Sequence, residues 1–343
     1  MTPEKTRQVE ALKAQHFGCE IEMNNITRKD AAKIVADYFR THTVQHVGGI
    51  YDTYTAMDGN FREWNFVSDA SICGPYECRC EMVTPILTWA DIPDLQEIVR
   101  KLRRAGAVSN PTQGCGVHIH VDGAGHTPTS IRSLCNLMAR YEKTLIQCVH
   151  IDQGRLDTYC QTVNKTFLRH LNDEKPNDMR RIEDLWYQFN GGCDRMSERL
   201  AHYNPSRYHM LNLHSFFHGH GTVEFRLFQF DNPHNAVKHG RVVRRKGGLD
   251  AGKLKAMIQL CLALNQYAKQ LKHHWAGAST ECCKKTDMDR FMYKLGMIGD
   301  EFKTARGYFK RGLEEGVAHT APTPRVLPHE IIRHAITPTA VAA

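Results

Sequence analysis

The sequence has no long apolar run. None of its uninterrupted hydrophobic segments approaches the roughly 20 residues that a membrane-spanning helix needs, and no apolar signal region opens the chain. The expected location is therefore cytoplasmic, with no membrane partner. The sequence also lacks paired C-x-x-C knuckles, although it holds 12 cysteines. Cys78 and Cys80 are one residue apart, Cys282 and Cys283 are adjacent, and the rest are scattered. That sets aside a zinc ribbon and leaves reduced, mostly buried thiols as the expectation. There is no periodic repeat. Nor do basic residues gather with aromatics into a nucleic-acid-binding module, despite a formal net charge of +8. That charge suits an anionic small substrate such as a nucleotide equally well. The densest basic block, residues 241–246, reads as a solvated segment rather than a phosphate-facing one.

What is present is an ordinary soluble composition, 41% hydrophobic and 24% charged over 343 residues. A substantial core can be buried at this length. The expected division is one catalytic domain over 1–316, with 155–200 as an insertion over its sheet, and a poorly ordered tail over 317–343.

Apolar and polar residues alternate strictly at 222–228. Val223, Phe225 and Leu227 point one way; Glu224, Arg226 and Phe228 point the other. The same layout recurs. Residues 16–23 set Glu20 and Glu22 opposite Cys19, Ile21 and Met23. Residues 76–85 set Glu77, Arg79 and Glu81 on one face, with Pro85 ending the strand. Residues 114–122 set His118, His120 and Asp122 opposite Val117, Ile119 and Val121. A meander is expected over 48–72, with turn signals at 48–49 and 58–60. Residues 207–217 and 222–230 read as a hairpin joined at 219–221. Helical spacing predicts helices at 31–40, 91–104, 128–150, 252–272 and 287–311, and a helical lead-in over 1–15. Strands cluster and helices cluster. The expected fold is α+β, a curved, mostly antiparallel sheet with helices packed on its outer face.

If these strands share one sheet, their ionisable faces meet over one concave surface. So many carboxylates in one place repel unless neutralised. Mg²⁺ or Mn²⁺ is the natural neutraliser, because these ions favour carboxylate oxygen and tolerate a histidine. Arg226, two residues after Glu224, suggests a phosphate-bearing substrate, since guanidinium gives bidentate contact to phosphate oxygens. Metals plus arginine over a carboxylate-lined sheet suit phosphoryl transfer. The stretch 247–254 matches G-x-x-x-x-G-K but ends in Leu254, so the metal-binding hydroxyl of a P-loop is missing. Asp250 is expected to cap a helix there instead.

Five motifs in order, Phe17-Gly18-Cys19-Glu20-Ile21-Glu22, Glu81-Met82-Val83-Thr84-Pro85, Cys115-Gly116-Val117-His118-Ile119-His120-Val121, Asn212-Leu213-His214 and Thr222-Val223-Glu224-Phe225-Arg226, together resemble the amidoligase family. That family belongs to the carboxylate–amine ligase superfamily, with glutamine synthetase and γ-glutamylcysteine synthetase. The resemblance implies a glutamine-synthetase-like sheet holding ATP and Mg²⁺, and a ligase joining a carboxylate to an amine. It implies Glu20, Glu22, Glu81, Glu224 and His118 as metal ligands. It places His118, His120, Arg226 and Asn212 toward the nucleotide, and Arg226 and Glu224 at the transferring phosphoryl group. Asp69 and Ser71 resemble the family's polar substrate or metal position, and Arg207 a carboxylate or phosphate clamp. Its partners would be a small-molecule or peptide carboxylate and an amine.

The implied reaction runs through an acyl phosphate. The amine-activating base is left open, with His214 and the 155–200 segment as candidates and a packing role preferred for His214. The alternatives are a metal-dependent phosphotransferase or hydrolase using the same Glu/His cluster. A basic nucleic-acid-binding protein explains the charge but not the four acidic or histidine faces.

Overall fold

The computed structural model describes residues 2–191, 196–238, 241–271 and 285–313. Its strands are β1 (Phe17–Met23), β2 (Val44–Gly48), β3 (Thr53–Met57), β4 (Glu63–Val67), β5 (Cys80–Val83), β6 (Val117–Asp122), β7 (Leu211–Asn212), β8 (Thr222–Phe228), β9 (His234–Lys238) and β10 (Arg241–Arg245). The first eight form one sheet in the order β2-β3-β4-β5-β1-β6-β8-β7, and every neighbouring pair is antiparallel. Among the described residues, β9 and β10 form a separate two-stranded sheet. Val242 to Lys246 are exposed, as expected of a solvated basic segment.

The helices are α1 (Pro3–Lys13), α2 (Arg28–Phe39), α3 (Ile92–Arg104), α4 (Pro128–Val149), α5 (Gln153–Thr158), α6 (Lys165–Glu174), α7 (Met179–Asn190), α8 (Met196–Arg199), α9 (His214–His218), α10 (Ala251–Gln270), α11 (Lys285–Lys294) and α12 (Lys303–Gly312). One sheet face belongs to the core. Cys19, Ile21 and Met23 of β1, Val117, Ile119 and Val121 of β6, and Val223 and Phe225 of β8 are fully buried there. α2 packs on β3 and β4, and α10 packs on β6 and β8. α1, α3, α4 and α12 then pack on α10, which is therefore buried nearly all round. Each large apolar side chain so buried contributes about 1.5–3 kcal/mol. The α+β class and the antiparallel sheet expected from the sequence are both present. Among the described residues, no helix is long and apolar enough to cross a membrane.

Asp250 caps a helix as expected, accepting from Gly252 N and Lys253 N at the start of α10, and Thr27 accepts from Asp30 N at the start of α2. The Asp250 cap accounts for the P-loop-like stretch: Lys253 is buried and paired with Asp231.

Three expectations need correction. The strand over 76–85 shrinks to Cys80–Val83, because Tyr76–Cys78 is a 3₁₀ turn. Buried Arg28 of α2 donates to the Tyr76 and Arg79 carbonyls at 2.8 Å each and holds the chain in that turn. Glu77 is consequently exposed. The hairpin arm over 207–217 is a two-residue strand followed by helix α9. The helix over 287–311 is two helices, α11 and α12, separated around Gly296 and Gly299, both at positive φ. The tail over 317–343 lies outside the described residues.

Candidate active site

The register of four strands assembles the site. Glu20 of β1 lies opposite His118 of β6, and Glu22 lies opposite Glu81 of β5. His120 of β6 lies opposite Glu224 of β8. Directly opposed residues share a face with Cβ atoms about 4.5–5.5 Å apart. Pairing alone therefore delivers all four glutamates and both histidines to one patch, on the sheet face away from α10. β8 shifts register against β6 between Val117 and Ile119, which lie opposite Phe228 and Phe225, so Arg226 sits at a bulge.

The side chains interlock. His118 Nδ1 donates to Glu20 Oε2 at 2.9 Å and lies 3.9 Å from Glu224 Oε1, while its Nε2 faces Glu22 Oε1 at 3.7 Å. His120 Nε2 lies 3.2 Å from Glu20 Oε1 and 3.8 Å from Glu224 Oε1. That nitrogen is buried and has no aligned hydrogen bond. Arg226 Nη1 donates to Glu224 Oε1 at 2.5 Å. Two groups of three could each hold a cation. They are Glu20, His118 and Glu224, and Glu22, Glu81 and His118, with ligand atoms in each group within 4.8 Å of one another. His118 belongs to both, one ring nitrogen toward each side.

Charge is not balanced within this patch. Burial favours the protonated acid at all four glutamates. At Glu20, His120 and His118 outweigh burial and hold the carboxyl well below its usual range. At Glu224, Arg226 and His120 outweigh it in the same way. At Glu22, His118 and Arg155 oppose burial without overcoming it, and at Glu81 Arg226 does the same. Burial pushes Glu81 well above the carboxylate range, with Glu20, Asp69 and Glu22 adding repulsion. Burial raises Glu22 too, with His118 opposing and Asp69 reinforcing, although the Gly116 N–H donates to its Oε2 at 2.5 Å. His120 is pulled down by burial and, more strongly, up by Glu224 and Glu20. On the Glu22 and Glu81 side, burial and mutual repulsion outweigh the positive groups nearby.

Two cavities meet at this patch, and Glu20 lines both. One, of about 420 Å³, is polar: Asp69, Ser71, Arg79, Glu81, Arg207 and Arg226 line it among others. The other, of about 590 Å³, runs past Gly18, Val83, Pro85, Ile86 and His120. Glu20, Glu22, Glu81, Glu224, His118, His120, Arg226, Asp69 and Ser71 are therefore brought together, and Arg207 reaches the same polar cavity. Asp69 also turns its own loop, accepting from Ser71 N at 2.6 Å. Asn212 is buried behind the cluster and reaches it through Glu224, to which its Nδ2 donates at 2.6 Å. Asp122 is apart from the cluster and caps a turn, accepting from Ala124 N. His214 lines neither cavity. It is buried against Tyr187, whose hydroxyl lies 2.7 Å from its Nδ1, which fits the packing role.

Several lining residues escape the sequence reading. Arg155 sits in α5, is buried, and donates from Nη2 to the carbonyls of Arg226 and Phe228. Its guanidinium occupies the space over Gly116, where a Cβ would lie 2.3 Å from both Nη atoms. Gly116 is the one trace of Arg155 in the sequence, a residue without a side chain beside the strand that carries His118 and His120. Tyr51, Tyr159, His202, Tyr203 and Tyr208 complete the polar wall, and no local pattern announces them.

An antiparallel sheet whose open face gathers four carboxylates, two histidines and an arginine between two cavities defines an enzyme-like centre. A family model described as "Putative amidoligase enzyme" matches residues 13–242, a span that contains all eight strands of the large sheet and every residue of the cluster. The chain belongs to the amidoligase family, as its five motifs suggest, and the family points to an enzyme that forms amide bonds. No curated protein and no solved structure matches the chain.

Proposed function

We propose that this amidoligase is an ATP-dependent carboxylate–amine ligase that works through an acyl phosphate on a glutamine-synthetase-like sheet. The observation that carries this reading is the meeting of two cavities at a cluster of four carboxylates, two of which, Glu22 and Glu81, are pushed toward the protonated acid by burial and repulsion. The residues fit divalent cations. Ligand triads lie on each side of His118, and His120 keeps a buried, unaligned nitrogen. Mg²⁺ or Mn²⁺ held by Glu20, Glu22, Glu81, Glu224 and His118 would supply charge neutralisation for the phosphates of ATP.

The chain's own groups do the rest. The less polar cavity, with Gly18, Val83, Pro85 and Ile86, accepts the nucleoside. The arginine-bearing cavity accepts the acid. The acid's carboxylate attacks the γ-phosphorus, ADP leaves, and the amine then displaces phosphate from the acyl carbon. Arg226, fixed by Glu224, offsets charge on the transferring phosphoryl oxygens. Asn212 orients Glu224, and Arg155 braces the β8 backbone at Arg226. These second contacts keep the liganding groups in place.

The test is product formation. Purified protein with ATP, Mg²⁺ and pools of acids and amines is expected to release ADP only when both an acid and an amine are present, with a new amide mass. Glu224→Gln and Arg226→Ala should each abolish turnover in a folded protein. Near-normal activity in either overturns the reading, and ester or amide hydrolysis without nucleotide would replace it with a hydrolase.

A further inference from the structure

β9 and β10 form a ribbon of their own beside the large sheet. Gly248 N donates to the Asp231 carbonyl at 2.8 Å and closes the ribbon's neck. Gly247 lies there at positive φ with room for no side chain, since a Cβ would meet the Asp231 carbonyl oxygen at 2.2 Å. Beyond the neck the two strands pair from Arg241 opposite Lys238 to Arg245 opposite His234. The other edge of β10 pairs with no strand among the described residues. Its two faces are open as well. Strand alternation puts Val242 and Arg244 on one face and Val243 and Arg245 on the other. All four are exposed, Val242 at 70%.

The charge of this ribbon is of one sign. Residues 232–249 hold five Lys or Arg and no Asp or Glu, and so carry five of the chain's formal net +8; among the described residues, Arg244, Arg245 and Lys246 form no ion pair. The register sets Arg241 against Lys238, and like charges directly opposed destabilise a strand pair. A two-stranded ribbon is marginal in water by itself, and a third strand stabilises it. Such a strand must bring acid. A second copy of β10 brings the same cations. Residues 272–284 and 314–343 of this chain hold four acids against four Lys or Arg, and so bring no net charge. A nucleic acid answers the arginines with phosphate but leaves both valines in water. An extended acidic stretch of another protein answers arginines and valines together.

We propose that the outer edge of β10 docks an extended acidic segment of a partner protein, which joins the ribbon as a third strand. An antiparallel strand passes Arg245, Arg244, Val243 and Val242 in that order. The matching sequence is therefore two acids followed by two β-branched residues. One carboxylate meets a guanidinium on each face, and each valine gains a cross-strand neighbour. This edge lines neither cavity of the acid–histidine cluster, so its partner is the same whatever reaction the cluster performs.

Fluorescence anisotropy with the full chain and labelled, end-capped peptides tests this. The probe is Thr-Glu-Glu-Val-Val-Thr. Its controls are Thr-Lys-Lys-Val-Val-Thr and the acidic peptide N-methylated along its central residues, which keeps the charge and removes the main-chain donors. The acidic probe is expected to bind about tenfold or more tightly than either control. Arg244→Gln/Arg245→Gln should erase the preference for acid over base. Arg244→Glu/Arg245→Glu should reverse it, and a reversed preference also shows that the ribbon is still formed. Equal binding of the two charges, an unchanged preference in Arg244→Gln/Arg245→Gln, full binding of the methylated peptide, or no binding of the acidic probe overturns the inference. Tighter binding of a short DNA duplex than of the acidic probe overturns it too, and makes the ribbon a nucleic-acid surface.

Discussion

Asn212 holds Glu224 in place from the neighbouring strand. Its Nδ2 donates to Glu224 Oε2 at 2.6 Å, and its Oδ1 accepts the His214 backbone N–H at 2.7 Å. The amide's orientation is thereby fixed, and both Glu224 oxygens are engaged, since Arg226 takes the other. Asn212→Ala would leave a buried carboxylate oxygen and a buried N–H unpaired. The expected loss is about 1–3 kcal/mol of stability. Freed from its partner, Glu224 should also bind metal less well, by about 10–100-fold. Denaturant unfolding and Mn²⁺ titration measure the two effects separately. A stability loss with unchanged Mn²⁺ affinity would show that Asn212 does not position the ligand.

Glu81 makes the opposite prediction about stability. It lies half-buried among Glu20, Asp69 and Glu22, which repel it more than Arg226 attracts it. Glu81→Gln keeps the shape and removes one charge. The metal-free protein should become more stable, by something on the order of 1 kcal/mol. The same change should remove most of the stabilisation that Mn²⁺ gives the wild type, which for a bound ion at 100 times its Kd is about 2.7 kcal/mol. Melting curves with and without Mn²⁺ decide it. A Glu81→Gln variant that is less stable than the wild type without metal would mean that the carboxylate has a partner of its own.

The cluster was legible because strands repeat every two residues. Glu20 with Glu22, His118 with His120, and Glu224 with Arg226 must each share a face once the segment is a strand. Antiparallel neighbours then bring the pairs together. Where the reading failed, tertiary contacts overrode local pattern. Glu77, Arg79 and Glu81 alternate like a strand, but Arg28, about fifty residues earlier, binds two carbonyls and makes a turn of the first part. The segment after Arg207 looked like a long arm, but the Asn212 side chain draws the His214 N–H out of the ladder. Arg155, Tyr51 and Tyr203 were invisible for another reason. They enter the site from elements with no ligand pattern, and only the curvature of the sheet brings them there.

Gly116 and Arg155 should therefore be coupled. Gly116→Ala puts a Cβ 2.3 Å from the Arg155 guanidinium. Arg155 is buried and bonded to two carbonyls of β8 at 3.2 and 3.4 Å, so it can yield only by giving up those bonds. The expected cost is about 1–3 kcal/mol, together with a large loss of activity as Arg226 loses its brace. Arg155→Leu alone should also destabilise. The double variant Gly116→Ala/Arg155→Leu should be less damaged than the sum of the two, by more than about 0.5 kcal/mol. Additivity within error would show that the guanidinium does not need the space that Gly116 leaves.

Away from the cluster, His126 should make the protein acid-sensitive. Its Nε2 donates to Asn265 Oδ1 at 2.8 Å, and Asn265 is oriented by its own Nδ2, which donates to Gln15 Oε1 and the Asp122 carbonyl. Nδ1 lies 2.8 Å from Ser130 Oγ. Burial lowers the imidazole pKa to about 4, with the Asn265 bond opposing and Lys269 reinforcing. An unfolded histidine titrates near 6.5, so between these values the unfolded chain binds a proton that the folded chain refuses. Stability from this group is therefore intact above about pH 6.5 and falls as the pH drops toward 4, by on the order of 3 kcal/mol in full. His126→Gln keeps a hydrogen-bonding side chain that does not titrate, and should flatten the pH dependence of unfolding in that window by this amount. Unfolding curves from pH 4 to 7 measure it, and identical slopes in the two proteins would place the acid sensitivity elsewhere.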